Sequence, residues 1–393
     1  MKRLIVTAVA ALMTLTLSAQ SGEGYKFTDG KLIKTTSVKD QHRSGTCWCF
    51  SGLSFLENEI MRAGGEEMDL SEMWIVRKIY FEKAVKYVRL HGHLNFAVGG
   101  AAHDVTNGIR NYGIVPQEVY PGLNYGTAKP HFNEIDAVLK AYVEAIVRNP
   151  NKKLTTAWQD GLNGILDAYF GKMPETFVYK GKEYTPKSFA ASLPIDIDNY
   201  VNISSFTHHP FYSKFVIEVP DNWAWDSVYN VPMEEMMAII DNALADDYSI
   251  MWAADVSERG FNRNKAIAIV PEVDLESMSG TEAERWGSLS AKEKEDALYK
   301  FDKPGKEKQI TQQMRQEAYD NYETTDDHGM VIIGTAEDQC GHPYFKVKNS
   351  WDIRPPYSGY YYFSRPFVEY KTMSIMVNKN AIPKSIRTKL GLK

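Results

Sequence analysis

Hydrophobic residues recur at helical spacing in the first half of the chain and in short runs in the last part. The apolar positions that predict the first helix, over 47–61, are Phe50, Leu53, Leu56 and Ile60. Gly64-Gly65 provides its stop. Further helices are predicted over about 70–89, most of 130–195, 233–244 and within the charged stretch 280–325. Short apolar runs predict strands over 250–256, 330–334, 344–349, 359–363 and 373–378.

This order of elements predicts an α+β fold with two lobes. The helical lobe comes first and the strand-rich lobe follows, so the cleft between them is the expected place for a functional site. With 393 residues, 44% of them hydrophobic and 12% aromatic, the chain can bury a large core in one domain of two halves.

The first twenty residues have the layout of a secretory signal. Lys2-Arg3 is a positive start, Leu4 to Leu17 is apolar, and Ser18-Ala19-Gln20 is an exit of small and polar residues. The apolar run is short for a membrane span, so no membrane anchor is expected. We therefore predict a signal peptide over 1–20 and a mature protein, 21–393, that is periplasmic or secreted. The net charge of −5 does not favour nucleic-acid binding.

The stretch from Gln41 to Trp48 carries candidate chemistry at the start of the first predicted helix. Cys47 could be a thiolate nucleophile, and a helix N-terminus favours the anion. Its backbone N–H and the amide of Gln41, six residues earlier, could both stabilise an oxyanion. If Cys47 is considered without partner residues, the alternative interpretation is a cysteine buried in the core. Cys49, about 200° further around the helix, is expected in the core, and Cys340 in a hairpin turn.

Partners for this cysteine stand near the other end of the chain. His328 begins one apolar run, and Asn349 ends the next. An imidazole can take the thiol proton while a neutral amide fixes the orientation of the ring. Trp351 could shield that hydrogen bond from water. Cys47, His328, Asn349 and Gln41 are therefore the predicted catalytic residues.

These residues resemble the papain superfamily of cysteine peptidases, for which a cysteine with distant histidine and asparagine is typical. Ser44-Gly45-Thr46-Cys47-Trp48 departs from the usual motif, and Cys47 and His328 are about twice as far apart as usual. Both departures resemble the branch of bleomycin hydrolase and bacterial aminopeptidase C. Asp352 stands where the family usually has glycine after Asn-Ser-Trp, so the turn there is expected to differ.

The resemblance implies a papain-like two-lobed fold with a large helical insertion over about 125–225 and a C-terminal tail over 379–393. It implies peptide substrates, no cofactor and no metal, with Gly99, Gly100 and Trp351 at the substrate. It also implies a homo-oligomer, a hexamer in this branch. His91, His93 and His103 lack the spacing of a metal site, so we expect them to be loop histidines near the cleft.

The expected activity is that of a cysteine aminopeptidase. In the branch that it resembles, the tail lies in the cleft and its carboxylate holds the free amine of the substrate. Here the tail looks short, and a helix over 383–390 would shorten it further, so an exported endopeptidase with a more open cleft is the alternative. A cell-wall amidase of the NlpC/P60 kind is disfavoured by Gln41 and Asn349-Ser350-Trp351. A binding protein that has lost catalysis is disfavoured because all four acting residues are present.

Overall fold

The computed structural model describes residues 24–392. The predicted signal peptide lies outside the described residues. Within them, none of the helices combines the length and the apolar character that crossing a membrane requires.

Twelve α-helices and thirteen strands are found in residues 24–392. The helices are α1 (Cys47–Arg62), α2 (Glu72–Arg89), α3 (Ala102–Tyr112), α4 (Asn133–Val147), α5 (Ala157–Phe170), α6 (Pro186–Ser192), α7 (Met233–Ala245), α8 (Gly280–Ser288), α9 (Ala291–Leu298), α10 (Gln312–Asp320), α11 (Arg365–Lys371) and α12 (Lys384–Lys389). The strands are β1 (Phe27–Leu32), β2 (Phe177–Tyr179), β3 (Lys182–Tyr184), β4 (Tyr200–Ser204), β5 (Lys214–Val216), β6 (Ser227–Asn230), β7 (Ile250–Ala254), β8 (Phe261–Asn262), β9 (Ile267–Ala268), β10 (His328–Asp338), β11 (Pro343–Lys348), β12 (Tyr360–Ser364) and β13 (Thr372–Asn378).

Eleven of these strands form one sheet. Its order is β5-β6-β4-β13-β7-β10-β11-β12-β9-β8, and β1 pairs with β10 outside that path. Most neighbours are antiparallel, whereas β4 with β6 and β9 with β12 are parallel. Because β10 and β11 are antiparallel neighbours, the start of β10 and the end of β11 lie side by side. This pairing brings the two predicted active-site strand ends together.

The first helix lies against this sheet and joins the two lobes. Its predicted apolar face is buried, and Leu53, Leu56 and Ile60 are completely inaccessible to solvent. One core surrounds α1, α2 and α3 on the helical side. A second core lies between the sheet and α7. The start of α1 contacts β10 directly, which places a helix N-terminus at the junction of the lobes.

Within 130–195, which was predicted to be mostly helical, one segment forms a β-hairpin instead. After α4 and α5 the chain forms the hairpin of β2 and β3, with Phe177 opposite Tyr184. Lys180 and Gly181 form its two-residue turn, and both have positive φ, +48° and +77°, as hairpin turns of this length require. The alternation around Lys180-Gly181 was the signal that could have predicted it.

The boundaries of the insertion, 125–225, stay a prediction. The helices α4 to α6 and the hairpin of β2 and β3 occupy the first part of that range. From Tyr200 onward the chain forms β4 and β5, which join the main sheet. The helix predicted over 383–390 is α12, Lys384–Lys389. Leu390, which follows this helix, is buried in the core of the sheet lobe.

Candidate active site

A tight loop presents Cys47 at the first position of α1. Gly45 has φ +63°, and a Cβ there would lie 2.3 Å from a methyl carbon of Val98. Only glycine combines that backbone conformation with so close an approach. The Thr46 carbonyl accepts from the backbone N–H of Cys49 at 2.9 Å, so the helix begins at the cysteine. Cys47 is half-buried, whereas Cys49 is fully buried. The Cys49 thiol donates a hydrogen bond to the Glu72 carbonyl oxygen.

His328 is the first residue of β10 and is held on two sides. Its Nε2 lies 2.9 Å from Oδ1 of Asn349, which leaves Nδ1 as the nitrogen for the thiol. The Trp351 ring stacks on the imidazole with centroids 4.3 Å apart, and the Arg263 guanidinium lies over the same indole. The predicted shielding of the His328–Asn349 bond by Trp351 agrees with this stack, whereas substrate contact by Trp351 stays a prediction.

Gln41 is buried next to the strand end that carries Asn349. The Ser350 hydroxyl donates to Gln41 Oε1 at 2.6 Å, and the Gln41 backbone N–H donates to the Ser350 carbonyl at 2.9 Å. Because Oε1 is the acceptor, Nε2 is the end of the amide left to donate to a substrate oxygen. Asp352, which replaces the expected glycine, has φ +73°; this turn therefore keeps a left-handed residue, although its side chain is not glycine.

Gly99 and Gly100 lie along the other wall of the cleft. Gly100 lines the same cavity as Cys47, and a Cβ there would lie 2.9 Å from the Trp48 ring. Gly99 lies behind it, where a Cβ would lie 1.9 Å from a carboxylate oxygen of Asp221. The ammonium of Lys83 donates to the Gly99 carbonyl. Gly100 is thus the glycine that a bound peptide could approach.

One cavity between the lobes unites these groups. Cys47, Trp48 and Gly100 line it from the helical side, and His328 and Gly329 line it from the sheet. Its remaining wall is formed by Ala101, Ala102, His103, Asn202, Ile217, Val219, Asp221, Val228, Met251, Ala253, Asp326, Asp327, Met373 and Ser374. The cysteine and histidine are 281 positions apart in the chain, yet they share this cavity because α1 packs on β10.

A profile of the Peptidase C1-like family matches residues 5–296 and 294–392, which is most of the chain. The chain belongs to this family.

The relatives of this C1-like peptidase include members of the branch that the sequence resembles. Aminopeptidase G of Lactobacillus delbrueckii subsp. lactis is 22% identical over 392 residues, covering 90% of this chain and 83% of the relative. Bleomycin hydrolase of Gallus gallus is 22% identical over 272 residues, covering 58% and 60%. The crystal structure of PepW from Lactobacillus rhamnosis HN001 superposes with a TM-score of 0.68 at 19% identity, covering 93% of this chain and 84% of that one. The papain-like fold is thus confirmed.

Burial dominates the electrostatics of the C1-like site. It raises the pKa of the Cys47 thiol to about 12, although hydrogen bonds from the backbone of Gly329 and Trp48 act in the opposite direction. Burial also lowers the pKa of His328 to about 4. The effect of burial on the Cys47 pKa is therefore larger than the lowering that was predicted from the helix N-terminus. Proton transfer from Cys47 to His328 creates both charges together, and their mutual attraction offsets part of that cost.

Three acidic residues near His328 lie outside the predicted catalytic set. Asp327 accepts hydrogen bonds from the backbone N–H groups of Val256 and Ser257, both at 3.0 Å, so it braces the neighbouring loop. Asp221 and Asp326 line the same cavity as Asp327. Asp326 could have been noticed from its place two positions before the histidine, whereas no local signal pointed to Asp221.

Proposed function

We propose that this protein is an exported cysteine aminopeptidase that removes N-terminal residues from peptides. The observation that carries the peptidase chemistry is the cavity lined by Cys47 and His328, with the imidazole bonded to Asn349. The aminopeptidase assignment is supported by relatives that are themselves named aminopeptidases. Export is supported by the charged and apolar pattern of residues 1–20.

The reaction begins with a proton transfer. The Nδ1 atom of His328 takes the Cys47 proton, and the thiolate attacks the carbonyl carbon of the first peptide bond. The negative charge then develops on the carbonyl oxygen. The backbone N–H of Cys47 and the Nε2 amide of Gln41 stabilise it, and one such donor contributes about 3 kcal/mol.

The intermediate collapses when His328 gives its proton to the leaving amine. The products are the shortened peptide and a thioester between Cys47 and the first residue. His328 then takes a proton from water, which attacks the thioester and releases the free amino acid and the thiol. Asn349 keeps the imidazole oriented throughout, because its Oδ1 accepts from Nε2.

Hydrolysis of matched peptide amides tests this proposal. The wild type should cleave a free alanyl amide after thiol activation and should cleave its N-acetylated form at least tenfold more slowly. Cys47→Ala and His328→Ala should reduce hydrolysis to background, while Cys49→Ser keeps most of it since Cys49 lies in the core. Equal cleavage of free and acetylated substrates would favour an endopeptidase, and activity retained in Cys47→Ala would exclude the mechanism.

Location and assembly are separate parts of the proposal. Fractionation of cells that express the full chain should find the mature protein outside the cytoplasm, and deletion of residues 2–20 should retain it inside. We propose a homo-oligomer, a hexamer, because the segment 125–225 resembles the insertion of the bleomycin hydrolase branch. Sedimentation of the purified protein at micromolar concentration tests this, since a monomer would contradict it.

A further inference from the structure

Three carboxyl groups line the Cys47 cavity, and the reaction above uses none of them. Asp327 accepts from two backbone N–H groups, which leaves Asp221 and Asp326. Asp221 follows β5, and Asp326 precedes β10. Both line the cavity together with Cys47 and His328. Both also contribute to raising the pKa of the Cys47 thiol, because a negative charge nearby opposes the thiolate. Two carboxylates placed here therefore hinder a thiol protease unless something neutralises them.

Asp326 has no compensating positive charge. Among residues 24–392 its carboxyl group has neither a hydrogen bond nor an ion pair, and the charged groups that act on it are Asp221, Asp327 and Asp255, all acidic. Burial and these neighbours raise the pKa of Asp326 to about 8. The Asp326 side chain is half-buried, and a carboxylate with reduced access to water is stabilised by a cationic partner; the described part of the fold supplies none to Asp326.

Asp221 is only partly compensated. Its Oδ1 accepts from Asn95 Nδ2 at 3.3 Å, and Lys83 is the cation that acts on it. However, the Lys83 ammonium already donates to the carbonyls of Ala97, at 2.8 Å, and Gly99. Burial still raises the pKa of the Asp221 carboxyl. The two carboxyl groups of the cavity wall are therefore not fully compensated by positive charge.

Independent evidence comes from acceptor atoms without donors. His103 is 4% exposed, and its Nε2 has no hydrogen-bond partner in the described structure. The nearest Asp104 oxygen is 3.9 Å away, beyond hydrogen-bond distance. Asn202 Oδ1 is buried without a partner as well. Both residues line the cavity, so its wall offers two carboxylates and an amide oxygen to a donor from outside, together with an imidazole nitrogen in the tautomer that leaves Nε2 unprotonated.

We propose that Asp221 and Asp326 form a subsite for an ammonium group, and that this group is the free α-amine of the peptide substrate. The inference rests on the proposed aminopeptidase function and assigns the residues that recognise the amine. An ammonium ion has three N–H donors and one positive charge, which match the acceptors and the uncompensated carboxylates.

The position of the subsite fits this assignment. In an aminopeptidase substrate the α-nitrogen is separated from the scissile carbonyl carbon by one Cα, a distance of about 2.5 Å. The groups that bind the amine must therefore line the same cavity as the nucleophile. Asp221 and Asp326 meet that requirement, since both line the Cys47 cavity.

Binding of the amine would also activate the nucleophile. In their ionised forms Asp221 and Asp326 oppose thiolate formation at Cys47, and because the pKa of Asp326 is about 8, its part of this effect grows as the pH approaches that value. The incoming ammonium neutralises them, so the Cys47 proton leaves more easily when the correct substrate is bound. A peptide without a free amine brings no such charge. The subsite then selects substrates in kcat as well as in KM.

The C-terminal tail is the competing source of a negative charge. Gly391 and Leu392 line a neighbouring cavity, which shares His103 and Asn202 with the Cys47 cavity. Neither tail residue lines the Cys47 cavity itself. If the tail rather than the aspartates held the amine, removal of residues 391–393 would abolish the preference for free amines. Under our proposal the truncated enzyme keeps that preference.

The test compares three substrates in the full-length enzyme and its variants. An alanyl amide carries the α-amine, the propionyl amide of the same leaving group lacks only that amine, and the Nα-acetyl-lysyl amide carries an ammonium on its side chain alone. Asp221→Asn and Asp326→Asn should each lower kcat/KM for the alanyl amide at least tenfold. They should leave kcat/KM for the propionyl amide unchanged or raise it. Asp302→Asn, an exposed site, is the matched control and should behave as the wild type.

Each outcome decides between alternatives. If the wild type has no preference for the alanyl over the propionyl amide, the proposed function fails. If that preference exists and survives in both aspartate variants, only the subsite fails. A preference lost in the 391–393 truncation alone assigns the amine to the tail. Aspartate-dependent cleavage of the acetyl-lysyl amide, as fast as that of the alanyl amide, would assign the subsite to a basic side chain.

Alkylation of Cys47 provides a readout that does not need turnover. Alaninamide should accelerate the reaction of Cys47 with iodoacetamide in the wild type, because its ammonium favours the thiolate, and propionamide should not. In Asp326→Asn the acceleration should disappear while the circular dichroism spectrum still matches that of the wild type, which shows that the variant is folded. Acceleration of the same size in that variant would overturn the proposal.

Discussion

The indole of Trp351 covers the imidazole of His328, with ring centroids 4.3 Å apart and an angle of 24° between the planes. The stack lies beside the bond between His328 Nε2 and Asn349 Oδ1. Water that reached this bond would compete for Nε2 and loosen the ring. The orientation of the general base therefore depends on an aromatic neighbour as well as on the asparagine.

Replacement of Trp351 should therefore lower kcat more than it changes KM. In Trp351→Ala, water gains access to the His328–Asn349 bond, and we expect kcat to fall about tenfold, a change of about 1.4 kcal/mol in the activation barrier. Trp351→Phe keeps a ring over the imidazole and should retain most of the activity. Steady-state kinetics with one free-amine substrate measure kcat and KM of both variants. Equal losses of kcat in the two would show that an aromatic ring over the imidazole does not maintain the activity.

Gly329 sets the separation between α1 and β10. A Cβ at this position would lie 2.7 Å from Ser51 Oγ and 3.4 Å from the Cys47 carbonyl oxygen. Gly329→Ala should push the strand that carries His328 away from the nucleophile, and a small misplacement at a reacting pair can cost about a hundredfold in rate. We expect that loss in kcat/KM with a folded protein by circular dichroism. Gly164→Ala is the suitable control, because a Cβ at Gly164 would lie in open space on a helix. Gly126→Ala would not serve, since Gly126 has positive φ.

The hydroxyl of Ser350 should affect kcat because it orients the side-chain amide of Gln41. Gln41→Ala removes one oxyanion donor and should lower kcat about a hundredfold or more. Ser350→Ala leaves that donor in place but releases Oε1, so the amide can turn, and we expect an intermediate loss of about tenfold. Measurement of kcat at saturating substrate gives both values. Ser350→Ala with full activity would mean that the 2.6 Å bond to Gln41 does not orient the amide.

The raised pKa of Asp326 should make the empty enzyme less stable as the pH rises from about 4 to about 8. Its pKa of about 8 in the folded protein exceeds the ordinary value of about 4 in an unfolded chain. Between these values the folded state holds a proton that the unfolded state has lost, so stability decreases as the pH rises through that window. Asp326→Asn cannot ionise. Its melting temperature should exceed that of the wild type at about pH 8, and the difference should shrink at about pH 5.

Thermal unfolding of three proteins at both pH values checks this. Asp302→Asn should show no comparable pH-dependent difference from the wild type, because Asp302 is exposed to solvent. If Asp326→Asn melted below the wild type at about pH 8, the carboxylate would be stabilising and its site would contain a compensating charge. A gain in stability combined with a loss of activity is typical of residues kept for function.

The amino-acid sequence by itself determined which segments carry the chemistry. Local periodicity is enough to place Cys47 at the start of a helix, because one face of α1 must be apolar to be buried. It also places His328 and Asn349 at the ends of neighbouring apolar runs. The structure confirms these elements and adds that Ser350 orients Gln41, a contact across 309 positions that no local pattern encodes.

Tertiary structure alone decided what shares the cavity with the cysteine. Asp221 and Asp326 stand 105 positions apart in the chain, and each looks locally like an acidic loop residue. They meet because β5, β6 and β4 extend the sheet on one side of β13 and β7, while β10 lies on the other side. Strand order and register bring side chains together over long chain distances, and a periodic pattern determines only which face of a strand is buried. For that reason the nucleophile could be predicted from the sequence and the proposed amine subsite could not.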